Sequence, residues 1–217
     1  MTTRRTFLAT LAAAGATYAL SGVAALAVAD DAVDFFRAVE MDDARSVKSL
    51  LGRGVDPNGT SRAGEPALVL AVREGSMQVL DVLLAAPGIR VDAPAMNGNT
   101  ALMMAAFKGN RPAVDALLAK GAAVNREGWT PLHYAAAAGD VGIAGLLLQR
   151  GARIDAVSPK ASGAYTPLMM AAREGREECA VFLAGKGADR RRKNAEGLDA
   201  ARIAERADHR SIAAALR

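Results

Sequence analysis

Four stretches of the chain place apolar residues at i, i+3 and i+4: Val79 to Leu84, Val114 to Leu118, Ile143 to Leu148 and Cys179 to Leu183. That spacing predicts a short helix with one buried stripe in each. Ahead of every one lies a second apolar run, at Leu68 to Val72, Leu102 to Ala106, Leu132 to Ala136 and Leu168 to Ala172, and a single glycine (Gly75, Gly109, Gly139, Gly175) divides each pair. The pattern therefore reads helix, turn, helix. After the second helix come Gly121-Ala122, Gly151-Ala152 or Gly187-Ala188, followed by Asn125, Asp155 or Asp189. A glycine there can take the left-handed conformation that ends a helix. Val47 to Asp56 carries the same closing pattern once more.

The pairs recur at a nearly constant interval. The sharpest copies are Thr130-Pro131-Leu132-His133-Tyr134-Ala135-Ala136 and Thr166-Pro167-Leu168-Met169-Met170-Ala171-Ala172, with weaker ones starting at Pro66, Thr100 and Asp199. Their first residues lie 34, 30, 36 and 33 positions apart. A period of that length is the mark of a solenoid. The threonine hydroxyl suits the helix N-cap, and the proline after it sits where no N–H is needed. The Ala-Ala pair is small enough for neighbouring helices to approach closely. One thin unit cannot bury its own apolar face, so each is stable only against its neighbours, and the ends need modified caps.

The motif Thr-Pro-Leu-His followed by small residues, the turn glycine and the closing Gly-Ala resemble the ankyrin repeat from roughly Val33 to the C-terminus. The resemblance implies an all-α repeat solenoid, an ankyrin-like stack of helix-turn-helix units with short β-hairpin loops. It divides the chain into an N-cap over 30–59, inner repeats over 60–92, 93–125, 126–155 and 156–189, and a C-cap over 190–217. Asp42 and Asp43 stand in the first cap where inner units have glycine and a small or polar residue. Arg202, Glu205, Arg206 and Arg210 interrupt apolar positions in the last. The loop between Asn125 and Gly128 is about three residues short, and Asp155 to Thr166, with Pro159 and Gly163, is about three longer than usual. The loop tips should therefore be uneven.

The same resemblance implies a protein-binding surface formed by the residue before each threonine and the two before each turn glycine. Here that surface includes Glu65, Arg73, Asn99, Phe107, Lys108, Trp129, Tyr165 and Arg173. Phe107, Trp129 and Tyr165 are among the few aromatics of the chain and fall at positions the repeat leaves variable. Aromatics beside arginines are the usual material of interface hot spots. His133 is implied to hydrogen-bond nearby backbone and the threonine hydroxyl, and His209 to be structural as well.

Enzyme chemistry finds little support. Gly-x-Ser-x-Gly and phosphate-loop signatures are missing, and no His, Cys and Asp residues have metal-ligand spacing. The reading is of no catalytic, cofactor or metal site, and of a monomer. Cys179 aligns with Val79, Val114 and Ile143, so a buried small hydrophobe is expected.

Thr3-Arg4-Arg5-Thr6-Phe7-Leu8 looks like a bacterial twin-arginine export signal, with an uncharged run from Phe7 to Val28 and an A-x-A cleavage site at Ala27-Val28-Ala29. Residues 1–29 are thus expected to be removed, which leaves a 188-residue mature chain beginning at Asp30 in the periplasm. An uncleaved inner-membrane anchor facing the periplasm is the alternative, since about 20 apolar residues can span a bilayer. Without Arg4 and Arg5 the chain has 25 basic against 23 acidic residues, too even to argue for nucleic acid or a membrane surface. One basic run, Arg190-Arg191-Arg192-Lys193, lies between the last two units, where it is a solvated loop or a seat for an acidic partner. These features read as an exported, non-catalytic interaction module with a protein partner. Bacterial proteins similar to it support a periplasmic enzyme such as a catalase or neutralise a toxin as immunity partners.

Overall fold

In the computed structural model, residues 30–217 are described. The expected export signal over residues 1–29 lies outside them. The described chain opens in a helix over residues 30–40 (α1) and continues as α2 (Ala44–Gly52), α3 (Ala67–Glu74), α4 (Met77–Ala85), α5 (Ala101–Phe107) and α6 (Arg111–Ala119). Then follow α7 (Pro131–Ala138), α8 (Val141–Gln149), α9 (Pro167–Arg173), α10 (Glu177–Gly185), α11 (Ala200–Arg206) and α12 (Arg210–Leu216).

The two helices of each pair stand in separate rows. In the inner row α3, α5, α7, α9 and α11 pack one on the next, while outside them α2 meets α4, α4 meets α6, and α10 lies between α8 and α12. Close approach in the inner row rests on the alanine pairs: Ala105 and Ala106, Ala135 and Ala136, and Ala171 and Ala172 are all inaccessible to solvent. The larger side chains fill the space between rows. Leu80, Leu102, Leu117, Leu132, Leu147 and Leu168 are wholly buried there and join one continuous core from Phe35 to Leu216.

Local chemistry starts and ends the helices as expected. The Thr100 and Thr166 hydroxyls accept from the amides of Met103 and Met169, and Asn110, Asp140 and Asp199 cap the helices after them in the same way. Gly139 ends α7 with φ of 85°. A Cβ there would also come within 2.9 Å of the Arg176 side chain, so glycine both permits the turn and makes room for the next unit. In the terminal units aspartate takes the same left-handed conformation, at Asp42 (φ 53°) and Asp208 (φ 62°). Asp42 is tied to the neighbouring unit because its carboxylate accepts from the Val79 amide at 2.9 Å.

A ladder of Asn and Asp side chains joins the loops along one edge. Asn58 accepts from the Arg90 amide, Asp92 from Ala123, Asn125 from Arg153 and Asp155 from Asp189, at 2.7 to 3.0 Å. Each rung spans adjacent units. Beyond the ladder, in the same loops, the sequence implies β-hairpins, and the structure shows tight fingers instead. Backbone bonds close them, Ser61 N–H to Glu65, Ala95 to Asn99, Ser158 to Tyr165 and Asn194 to Leu198, with Ala67 to Gly59 a second across the first. Only Thr60 and Pro66 form a bridge pair among the described residues. With three residues fewer, the finger before Thr130 is a bare turn. The longer one before Thr166 folds a 3-10 turn over Lys160–Ser162.

Candidate interaction surface

The residues before the threonines and before the turn glycines project from the fingers and inner helices onto one face, yet they do not form one continuous surface. Phe107, Trp129 and Arg173 come together with Tyr134, Ala137, Met170, Glu174 and Arg176 around a groove of about 390 Å³. Glu65 and Arg73 line a different depression, of about 410 Å³, beside α1 and the first finger. There Arg73 forms ion pairs with both Glu65 and Glu74. Lys108 is exposed beside Phe107, and Asn99 accepts a hydrogen bond from the Tyr134 hydroxyl.

Aromatic rings stack edge to face along the groove. Phe107 meets Tyr134 at 6.3 Å between centroids, Trp129 meets Tyr134 at 6.3 Å, and Trp129 meets the His133 ring at 5.2 Å. Such contacts hold rings in fixed orientations. Phe107 is 52% exposed, Trp129 and Tyr134 are half-buried, and together they offer apolar surface that nothing in the described chain covers. Burial raises the Tyr134 phenol above its ordinary pKa, against the Asn99 hydrogen bond and the nearby Arg126 charge.

Tyr165 departs from expectation. It was expected at a free position, and the structure leaves it 6% exposed inside the core. The longer finger explains this. Gly163 has φ of 101°, and a Cβ there would meet the tyrosine ring at 2.3 Å, so the absent side chain makes the space the ring occupies. The Ser158 hydroxyl accepts from the Tyr165 amide at 2.9 Å, and the Arg173 guanidinium covers the ring at 5.0 Å. Tyr165 therefore supports the groove by placing Arg173 and offers little surface of its own.

Sequence reasoning missed Tyr134, Met170 and Arg176. For Tyr134 a signal existed, since it stands three residues before Ala137 on α7, one of the two positions before Gly139 that the pattern places on the surface, and shares its helical face. Arg176 gave none. It caps α10 and swings back across Gly139, where its Nε donates to the Ala137 carbonyl at 3.0 Å. His209 uses the same device, its ring lying over the Cα of Gly175.

His133 is internal, as the motif implies. Its Nδ1 accepts from the Thr130 amide at 3.1 Å and lies 2.9 Å from the Thr130 hydroxyl. Burial pushes its pKa down to about 4, opposed by backbone hydrogen bonds. Cys179 is fully buried in α10, and desolvation, helped by Asp140 and Glu178, pushes its thiol up to about 12. A thiol in that setting is a packing group. Among the described residues no three His, Cys, Asp or Glu side chains converge as metal ligands do. No helix among them is long and apolar enough to cross a membrane.

A family model described as ankyrin repeats (3 copies) matches residues 35–126, 68–158 and 124–194. Among curated proteins the chain is similar to the RelA-associated inhibitor of Mus musculus, with 35% identity over 150 residues that cover 67% of this chain and 18% of that protein. It is similar to the transient receptor potential cation channel subfamily A member 1 of Homo sapiens, 33% identical over 159 residues, 70% of this chain and 14% of that one. The nuclear factor NF-kappa-B p105 subunit of Mus musculus matches at 35% identity over 154 residues, 67% of this chain and 15% of its own. The chain thus spans less than a fifth of the length of each.

Proposed function

Because the chain belongs to the ankyrin-repeat family, we propose that it is a protein-binding module whose partner docks on the groove between α5, α7 and α9. The observation that carries this reading is the exposed aromatic wall of Phe107, Trp129 and Tyr134, held in place by His133, Asn99 and the buried Tyr165. Rigid aromatic surface costs little entropy on binding and supplies most of the energy of small interfaces. The hydroxyl and imidazole in contact beside the groove, Thr130 and His133, are both buried and taken up in starting α7, and we read the module as holding its partner without transforming it.

The export signal read at Arg4-Arg5 and Ala27-Val28-Ala29 assigns the module to the periplasm, where the partner is an enzyme it supports or a toxin it neutralises. A solenoid with short-range contacts folds quickly and suits a route that carries folded cargo. Two experiments test the proposal. Capture from a periplasmic extract on the C-terminally tagged full chain should retain a protein that Trp129→Ala and Phe107→Ala release. Equal retention by both variants overturns the groove as the docking site. Replacing Arg4 and Arg5 by lysine should leave precursor in the cytoplasm, and unaltered export of that variant would reject the assignment.

A further inference from the structure

We infer that the groove is built for an acidic segment, one in which an aliphatic or aromatic side chain is flanked by carboxylates. This rests on the reading of the groove as the docking surface. The floor, from Trp129, Tyr134, Ala137 and Met170, is apolar, and about 390 Å³ is room for a side chain or two. One protruding apolar residue from an extended segment fits that space.

The rim decides the charge. Arg173 is neutralised by Glu174, with the two in contact at 2.8 Å. Arg176 lines the groove, and its Nε is bound to the Ala137 carbonyl, which leaves the outer nitrogens of the guanidinium to donate to something else. Arg126 donates to the Gly98 carbonyl and stands close enough for its charge to act on the Tyr134 hydroxyl. Lys108 follows Phe107 at the end of α5 and is exposed. None of these three cations pairs with a carboxylate among the described residues. The other depression on this face differs, because Arg73 there is shared by Glu65 and Glu74.

Cations beside an apolar floor are only partly screened, so a carboxylate placed among them gains more than it would in open water. The free edge of Arg176 matches the two oxygens of a carboxylate. A basic segment would bring like charges together and is disfavoured by the same geometry.

Selection of a displayed library of random dodecapeptides on the full chain tests the inference, with Trp129, the only tryptophan, as the reporter. Enriched peptides should carry aspartate or glutamate beside leucine or an aromatic residue and should change Trp129 emission saturably. Their affinity should fall about tenfold in Arg176→Glu, the loss expected when a charge-assisted hydrogen bond is removed, and should weaken with added salt. Enriched peptides that change Trp129 emission but show no acidic bias would overturn the charge inference and leave the groove as the docking surface. Failure to enrich, or peptides that bind without touching Trp129 emission and equally well to Trp129→Ala, would overturn both.

Discussion

The imidazole of His133 donates from Nε2 to the backbone carbonyl of Tyr165, one repeat further along the chain, at 3.0 Å. Because Nδ1 accepts from the Thr130 amide, the ring must be neutral with its proton on Nε2 to make both bonds. One side chain thereby fixes the start of α7, the finger that follows it and the floor beneath Arg173.

This sets the pH dependence of stability. Burial, against backbone hydrogen bonds, holds the folded pKa near about 4, below the ordinary value of 6.5. Between those values the unfolded chain binds a proton and the folded one does not. The contribution of His133 to stability is therefore full above pH 6.5 and is lost as the pH drops toward 4, by roughly 3 kcal/mol in all. Urea midpoints measured from pH 7 to pH 4 should show this slope, and His133→Gln should flatten it.

Tyr165→Ala should cost about 3 kcal/mol or more, the range for emptying a buried aromatic site. Trp129→Ala, at a half-buried position, should cost clearly less. Thermal melts of the two variants decide the order, and equal losses would contradict the placement of Tyr165 under the long finger.

Leu117 and Leu147 are wholly buried between the helix rows. Replacing either by alanine should lower stability by about 2 to 5 kcal/mol. Both neighbouring units lose support at once, so a single cooperative transition at lower denaturant is the expected curve.

Asn125 makes two bonds to the next unit, donating to the Gly151 carbonyl at 2.7 Å and accepting from the Arg153 amide at 2.8 Å. Both are exposed. Asn125→Ala should cost about 1 to 2 kcal/mol and speed hydrogen exchange at the Arg153 amide. An unchanged exchange rate would mean that the ladder adds nothing to stability.

With its thiol pushed up to about 12 by burial, Cys179 should resist a thiol-specific reagent at pH 8 and react fully once the protein is denatured. Rapid labelling of the native chain would show that α10 opens easily.

Much of the fold was legible in the sequence because it depends on local, periodic chemistry. Helix pairs follow from apolar spacing, turns from glycine at fixed offsets, and the caps of α5, α7 and α9 from the threonine before each. The units repeat, so a residue such as Cys179 takes its burial from Val79, Val114 and Ile143 at the same position. The candidate site was legible only in part. Phe107, Trp129 and Arg173 share one groove, whereas Glu65 and Arg73 belong to another depression.

What the sequence determined by itself was the repeating unit, its apolar stripe and the Thr130–His133 start of α7, since each is written in residues a few positions apart. Tertiary structure alone decided which variable positions became surface. Three added residues and Gly163 let one finger fold over Tyr165 and bury it, and the absent side chain at Gly139 let Arg176 reach back from the next unit to the groove. Both outcomes depend on the space a glycine leaves for a side chain it meets only after the chain has folded, and periodicity does not record that space.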